Sequence, residues 1–378
     1  MYPDLAGSAF NVRVDDVQLL NVVEPPTDHY TAHADTPAET AAGLRRQAAA
    51  NPESVRVSSV LSLLDRSDQD PDRDRDALRA LRRVAAVRPA DCTPAIPILD
   101  SLLGREDPPA LSEILATLEA IGTDDPGAIA PLSSEIIASL DSSDPSVRRE
   151  SVKCLAAIAD EHPDDALDAV PLLATVVEDG VDGDRYAVYA LSRITDAYPE
   201  AVKPVADTLA AAILDESLDD GARLNAAAGL GRIVGEYPSI GVDVVDDLVA
   251  LFDADNRKLR NNAIGIVGDV AKVHTDVVEP HVGTIAPLLT VDDEYTRVNA
   301  SSALARVAED FPEAVQSVAS TYIALLEDDN PIVRENACWA LGYLAEAEAE
   351  SALRKRVDTD ENVDVRTRAS WALSRLER

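Results

Sequence analysis

An arginine returns at a near-fixed interval through most of this chain. Arg148, Arg223, Arg260, Arg297, Arg334 and Arg366 each open the same short phrase, as in Val147-Arg148-Arg149-Glu150-Ser151, Val333-Arg334-Glu335-Asn336-Ala337 and Val365-Arg366-Thr367-Arg368-Ala369. Seven residues after each arginine stands an aliphatic: Leu155, Leu230, Val267, Leu304, Leu341 or Leu373. The same anchor at Leu81, Leu118 and Leu191 extends the register. The phrase position then falls at 74, 111, 148, 184, 223, 260, 297, 334 and 366, in steps of 37, 37, 36, 39, 37, 37, 37 and 32 residues. A period of this size marks supersecondary units that bury their apolar faces only by stacking on one another, which is a solenoid.

At 378 residues two or three globular domains would be the default. The repeat overrides that expectation, because the core of a solenoid runs unbroken along its length. That core is drawn from a 46% apolar content in which aromatics are only 4%, so Ala, Val, Leu and Ile fill it. Net charge is −35, with five Lys against 29 Arg. Acidic excess with little lysine resembles proteins of salt-loving cells, whose surface carboxylates hold water in molar salt; an acidic scaffold of ordinary salinity is the alternative. No stretch reaches the roughly 18 apolar residues that cross a membrane, and Met1-Tyr2-Pro3-Asp4 opens no signal peptide. Cys92, Cys154 and Cys338 are odd in number and far apart, so they read as buried small hydrophobes in a reducing, cytoplasmic protein.

Each unit reads as two antiparallel helices, A and B. Four residues before the phrase stands Asp70, Asp107, Asp144, Asp219, Asn256, Asp293, Asn330 or Asn362, each a side chain suited to capping the start of helix B. Pro71, Pro108, Pro145 and Pro331 follow at the first helical position. Counting from the phrase residue, apolar residues recur at plus 3, 7 and 10, which is one helix face: Ala300, Leu304 and Val307, or Ala337, Leu341 and Leu344. At plus 15 a proline closes helix B in six units: Pro89, Pro126, Pro163, Pro199, Pro238 and Pro312. Helix A is expected over stretches such as Ala166–Glu178, Val202–Leu214 and Val315–Glu327, each with an acidic outer face. A first, weaker B helix is read over 37–49, with Pro37 at its start and Leu44 as its anchor. Residues 1–36 do not fit the period and are expected to form a strap or a partly disordered segment.

The phrase Asn330-Pro331-Ile332-Val333-Arg334-Glu335-Asn336-Ala337-Cys338-Trp339-Ala340-Leu341-Gly342, echoed at Asp144-Pro145-Ser146-Val147-Arg148, resembles the HEAT and armadillo repeats. The resemblance covers residues 37–378. It implies an all-α fold, a right-handed α-solenoid of about nine to ten two-helix HEAT-like repeats. For function it is broad, since such solenoids serve transport, chromosome organisation, phosphatase assembly and a few enzymes.

The face of helix B opposite the apolar stripe collects plus 1, 5, 8, 9 and 12, with plus 2 at its border, and should line the concave surface. There stand Arg75, Arg79, Arg82 and Arg83, then Arg149 and Lys153, then Arg185, Tyr189 and Arg193, and further on Arg232, Arg306, Trp339, Tyr343, Trp371 and Arg375. Plus 2 is asparagine four times running: Asn225, Asn262, Asn299 and Asn336. Arginine forks suit carboxylates and phosphates, and Trp and Arg anchor interfaces, so these residues form a candidate binding groove. Alternatively, the phrase-opening arginines pair with acids of the neighbouring repeat such as Asp292, Asp328 or Asp360, the asparagines tie adjacent helices, and Trp371 caps the core. Armadillo repeats, by resemblance, clamp peptides with a Trp and an Asn four residues later; here Tyr343 follows Trp339 and Arg375 follows Trp371.

Catalytic signals are weak. None of His29, His33, His162, His274 and His281 is followed by Glu, and no glycine-rich phosphate loop is present. His274, Glu279 and His281 read as turn residues rather than metal ligands. No cofactor or metal is expected. The reading is a non-enzymatic scaffold for another protein, through an acidic or extended segment, with no membrane contact; the alternatives are a nucleic-acid-associated protein of chromosome organisation or repair, as second choice, or an accessory subunit of an enzyme complex. Trp371 and Leu373 in the last B helix are a further candidate contact, for a dimer or a partner.

Overall fold

The computed structural model describes residues 40–66, 70–180 and 183–376. The chain divides into residues 1–39 and 40–378. The expected strap, with Pro37, lies outside the described residues. In the second unit ten B helices carry the period: Ala41–Ala50, Pro71–Ala85, Leu111–Asp124, Pro145–Glu161, Asp184–Ala197, Asp220–Glu236, Arg257–Val270, Glu294–Asp310, Pro331–Leu344 and Val363–Leu376. We refer to them as the first to tenth B helices. No strand occurs among the described residues.

Local chemistry sets their ends. The side chains of Asp70, Asp144, Asp219, Asn256, Asp293, Asn330 and Asn362 each accept a hydrogen bond from a backbone N–H of the following turn, satisfying donors that a helix start leaves open. Asp107 does not do so. The third B helix starts at Leu111 behind Ala110, whose φ is +50°. The cause is the pair Pro108-Pro109: a residue before proline is driven out of the helical region, so Pro108 cannot open a helix. The fifth B helix starts behind Gly183, whose φ of +115° suits glycine. At the other end, the residue before each of the six closing prolines is extended, with φ between −125° and −143° at Arg88, Asp125, His162, Tyr198, Tyr237 and Phe311.

The anchors are the centre of the core. Leu44, Leu81, Leu118, Leu155, Leu191, Leu230, Val267, Leu304 and Leu341 are at most 1% exposed. Leu373, in the tenth B helix, is half-buried. The A segments differ from the expected single helices. The Val202–Leu214 stretch is a turn of helix at Pro199–Val202, a 3₁₀ turn at Lys203–Val205, then Ala206–Leu214. Pro94, Pro131, Pro204 and Pro280 sit in the equivalent 3₁₀ turns, where each removes a backbone donor and kinks the element. Gln316–Val318 kinks in the same way without a proline. After the second, third, fifth, seventh and eighth B helices the A segment is a short helical turn, a 3₁₀ turn and a further helix; after the fourth and sixth a seven-residue 3₁₀ stretch replaces the first two, and after the first and ninth only a 3₁₀ turn precedes the helix. Consecutive B helices lie side by side along the whole row, while consecutive A helices touch far less. The closer side is the inner one, so the B helices line it.

Cys92, Cys154 and Cys338 are buried free thiols. Burial pushes the Cys92 thiol up to about 11 and Cys338 up to about 12, and raises Cys154 as well. The thiolate is the reactive form. A maleimide reagent at neutral pH is expected to leave all three unlabelled in the native chain and to label all three once urea unfolds it; mass spectrometry reads the difference.

Candidate functional site

The inner stripe comprises plus 1, 5, 9 and 12 of the B helices. Plus 8 leaves it in several repeats: Ala156, Ser192 and Ala305 are buried, because the B helices pack too closely to leave that position open.

The phrase-opening arginines do not reach the stripe. Arg148, Arg260, Arg297, Arg334 and Arg366 turn back to backbone carbonyls five or six residues upstream, at Ser142, Ala254, Val291, Asp328 and Asp360 among them. Arg223 does the same with Ile213. Arg297 also pairs with Asp328 at 2.8 Å and Arg334 with Asp360 at 2.9 Å, each acid lying in the next repeat. Arg297 meets Asp292 through that residue's carbonyl, not its carboxylate. The recurring arginine thus closes the loop before six of the ten B helices and, at Arg297 and Arg334, joins it to the following unit.

The asparagines divide. Asn336 donates to the Val298 carbonyl at 3.4 Å and to Ser301 Oγ at 3.0 Å; Asn299 donates to the Asn261 carbonyl at 3.3 Å. Both span adjacent B helices. Asn225 and Asn262 are half-buried and make no side-chain hydrogen bond among the described residues.

In the middle of the row the basic side chains have acidic neighbours. Arg149 meets Glu150 at 3.1 Å and Lys153 meets it at 3.2 Å. Arg193 bridges Asp160 and Asp196 at 2.9 and 2.8 Å, and Arg232 reaches Asp196 at 3.5 Å. Tyr189 donates to Asp160 at 2.6 Å, and its hydroxyl pKa is raised by burial and by that carboxylate. Arg185 lies over its neighbour Tyr186, 4.8 Å from the ring centre.

The last three B helices are different. Arg306 lies over the Trp339 ring at 5.2 Å. Arg368 lies 5.2 Å from Trp339 and 5.7 Å from Trp371. Arg375 lies 5.5 Å from Trp371 and 4.6 Å from Tyr343. Tyr343 and Trp371 meet edge to face at 5.1 Å and 63°. Cations and rings alternate without a break across three repeats, each contact being of the cation–π type. Tyr343 donates to Glu309 at 2.6 Å and Arg368 to Glu335 at 3.3 Å. In the place of a clamping amide stands a tyrosine held by an acid. Sequence reasoning missed Arg368; its only signal was that it occupies the position of the asparagine series in the tenth repeat.

Gly342 seats this stack. A Cβ there would stand 2.4 Å from the Trp371 ring, and Arg375 Nε donates to the Gly342 carbonyl at 3.0 Å. Gly342→Ala is expected to displace the indole and cost about 1–3 kcal/mol, as overpacking does; a shifted tryptophan emission with a lower melting temperature is the readout. Trp371 is therefore part packing residue, part surface.

The described histidines, His162, His274 and His281, do not converge. His281 pairs with Asp246 at 2.9 Å and His274 with Ser239 at 2.7 Å. Among the described residues no group of three His, Cys, Asp or Glu side chains is placed to hold a metal, and no helix is long and apolar enough to cross a membrane.

A HEAT-repeat family profile matches residues 319–377. No curated protein sequence matches the chain. Solved structures do. A chain from a study of a phosphorylation switch in the cadherin–beta-catenin interaction aligns with TM-score 0.75 and 12% identity, over 89% of this chain and 77% of that one. An engineered protein aligns at 0.66 and 21%, over 90% and 93%. UNC-45 from Drosophila melanogaster aligns at 0.70 and 15%, over 89% of this chain and 55% of its own length. At these identities the likeness concerns the fold. With the profile, the 37-residue period and the stacked B helices, it makes the chain a helical-repeat protein of the HEAT/armadillo type, an all-α solenoid.

Proposed function

We propose that this solenoid is a non-catalytic scaffold acting in the cytoplasm, and that the inner face of its eighth to tenth B helices holds an extended segment of a partner protein. The observation that carries the reading is the unbroken series Arg306, Trp339, Arg368, Trp371, Arg375 and Tyr343. Trp, Tyr and Arg are the residues that dominate interface energetics. Guanidinium groups already stacked on rings lose little freedom when they engage a carboxylate or a backbone carbonyl, so affinity is spent less on ordering. Glu309 and Glu335 hold Tyr343 and Arg368 within the stack, whereas in the middle of the row Arg193 lies between two carboxylates, Asp160 and Asp196, which leaves it a weaker ligand.

The beta-catenin neighbour comes from a study of its interaction with cadherin, in keeping with a protein ligand. Nucleic acid is the second reading, resting on the same arginines. Capture from nuclease-treated and untreated lysate in molar KCl separates the two. Beside the wild type stands a Trp339→Ala/Arg368→Glu variant. A protein retained after nuclease and lost from the variant supports the scaffold. Loss of all partners on nuclease treatment overturns it, because phosphate-driven binding also falls steeply with salt.

A further inference from the structure

The opposite end of the inner face carries a second concentration of arginine. Arg46, in the first B helix, and Arg79, Arg82 and Arg83, in the second, are all exposed. They share little neutralising charge. Arg79 and Arg82 both lean on Glu113 of the third B helix, at 3.5 and 2.9 Å. Two guanidinium groups thus divide one carboxylate in direct contact, and Glu119 of the same helix adds a second negative charge that acts on Arg82. Arg46 and Arg83 have no carboxylate within 4.0 Å among the described residues. They occupy the same position, two residues beyond the anchors Leu44 and Leu81, on adjacent B helices. Their backbones are therefore about one helix spacing apart, roughly 8–10 Å. The neighbouring pair Arg45–Asp76, at 2.8 Å, joins the two helices on this side.

Two observations narrow the ligand. First, residues 31–185 contain no Phe, Trp or Tyr. The patch reads charge alone and has no ring on which a base could stack, in contrast to single-strand binding surfaces. Second, it is bounded. On the fourth B helix Arg149 and Lys153 are already paired with buried Glu150, and Asp160 exposes a carboxylate that a continuous line of phosphates running onward would meet. A duplex carries a charge about every 1.7 Å, whereas a polypeptide can confine its carboxylates to a short run. The geometry points to a second anion site at Arg46, Arg79, Arg82 and Arg83, built for a short cluster of carboxylates on a polypeptide, in a chain whose net charge is −35. It rests on none of the aromatic residues of the groove proposed above.

The test is fluorescence anisotropy on the full chain in about 0.15 M KCl, where the screening length is about 8 Å. The probes are a labelled glutamate-cluster peptide in a Gly-Ser frame, its glutamine counterpart, an oligothymidylate and a short DNA duplex. The glutamate peptide is expected to bind and the other three to bind at least tenfold more weakly. Arg46→Glu/Arg83→Glu, whose positions are exposed and outside the core, should keep the wild-type melting curve and lose the peptide by tenfold or more. Trp339→Ala should retain it. The inference is overturned by no glutamate binding, by equal binding to the double variant, by loss on Trp339→Ala, or by preference for either nucleic acid. None of these outcomes decides the fate of the aromatic groove, which is tested by its own partner.

Discussion

Asp360→Ala is expected to destabilise the solenoid by about 3–5 kcal/mol, the cost of removing one partner of a buried ion pair. The Asp360 side chain is 1% exposed and sits between Arg334 at 2.9 Å and Arg356 at 3.3 Å, themselves only 13% and 11% exposed. Without the carboxylate, Arg334 loses its acid at a nearly dry junction between the last two repeats, while Arg356 keeps only Glu327 at 2.9 Å. Burial alone would raise the Asp360 pKa, but hydrogen bonds from Arg334, the Asn362 backbone and Arg356 outweigh it and hold the carboxyl below the usual range. A depressed carboxylate pKa stabilises above the unfolded value and ceases to do so as pH falls through the folded one. The gap between wild type and variant should be full above about pH 4, the ordinary aspartate range, and should narrow below it. Urea unfolding across that range reads it; a gap that stayed constant as the acid limit is approached would contradict the assignment.

The second large effect concerns binding. Trp339→Ala is expected to weaken partner binding by at least 2 kcal/mol, about thirtyfold, the range of interface hot spots. Trp339 is the ring shared by Arg306 and Arg368, so its loss removes one ring contact from each of two guanidinium groups at once. Tyr189→Phe, in the neutralised middle of the row, should change the same affinity less than twofold. Titration of the captured partner against the three proteins measures the contrast, and equal losses at the two positions would move the site away from the eighth to tenth B helices.

How much of this was legible beforehand differs by level. The period, the capping residues and the closing prolines follow from local rules, which seven of the helix starts and six of the helix ends obey. Asp107 failed because a second local rule, proline after proline, outranked the first. The kinks in the A segments were missed both where a proline marks them, as at Pro204, and where none does, as at Gln316–Val318. The site was legible only in outline. Position counting placed the arginines on one face but could not say which acids reach across to them. Asp160 and Asp196 stand one turn from the residues they neutralise, on the same or an adjacent helix, and side-chain reach rather than spacing decides the contact. Periodicity likewise could not separate Asn336, sealed between helices, from Asn225 and Asn262. Arg368 escaped because the unit is short by five residues there and an arginine takes the asparagine place.

Hydroxyl-radical footprinting of the chain with its captured partner tests most directly where that partner lies. Trp339, Trp371 and Tyr343 are half-buried in the free protein, so their oxidation should fall on complex formation while exposed Tyr295 on the repeat edge keeps its rate. Protection of Tyr295 or of A-segment residues, with Trp339 and Trp371 unchanged, would place the partner elsewhere and contradict the account.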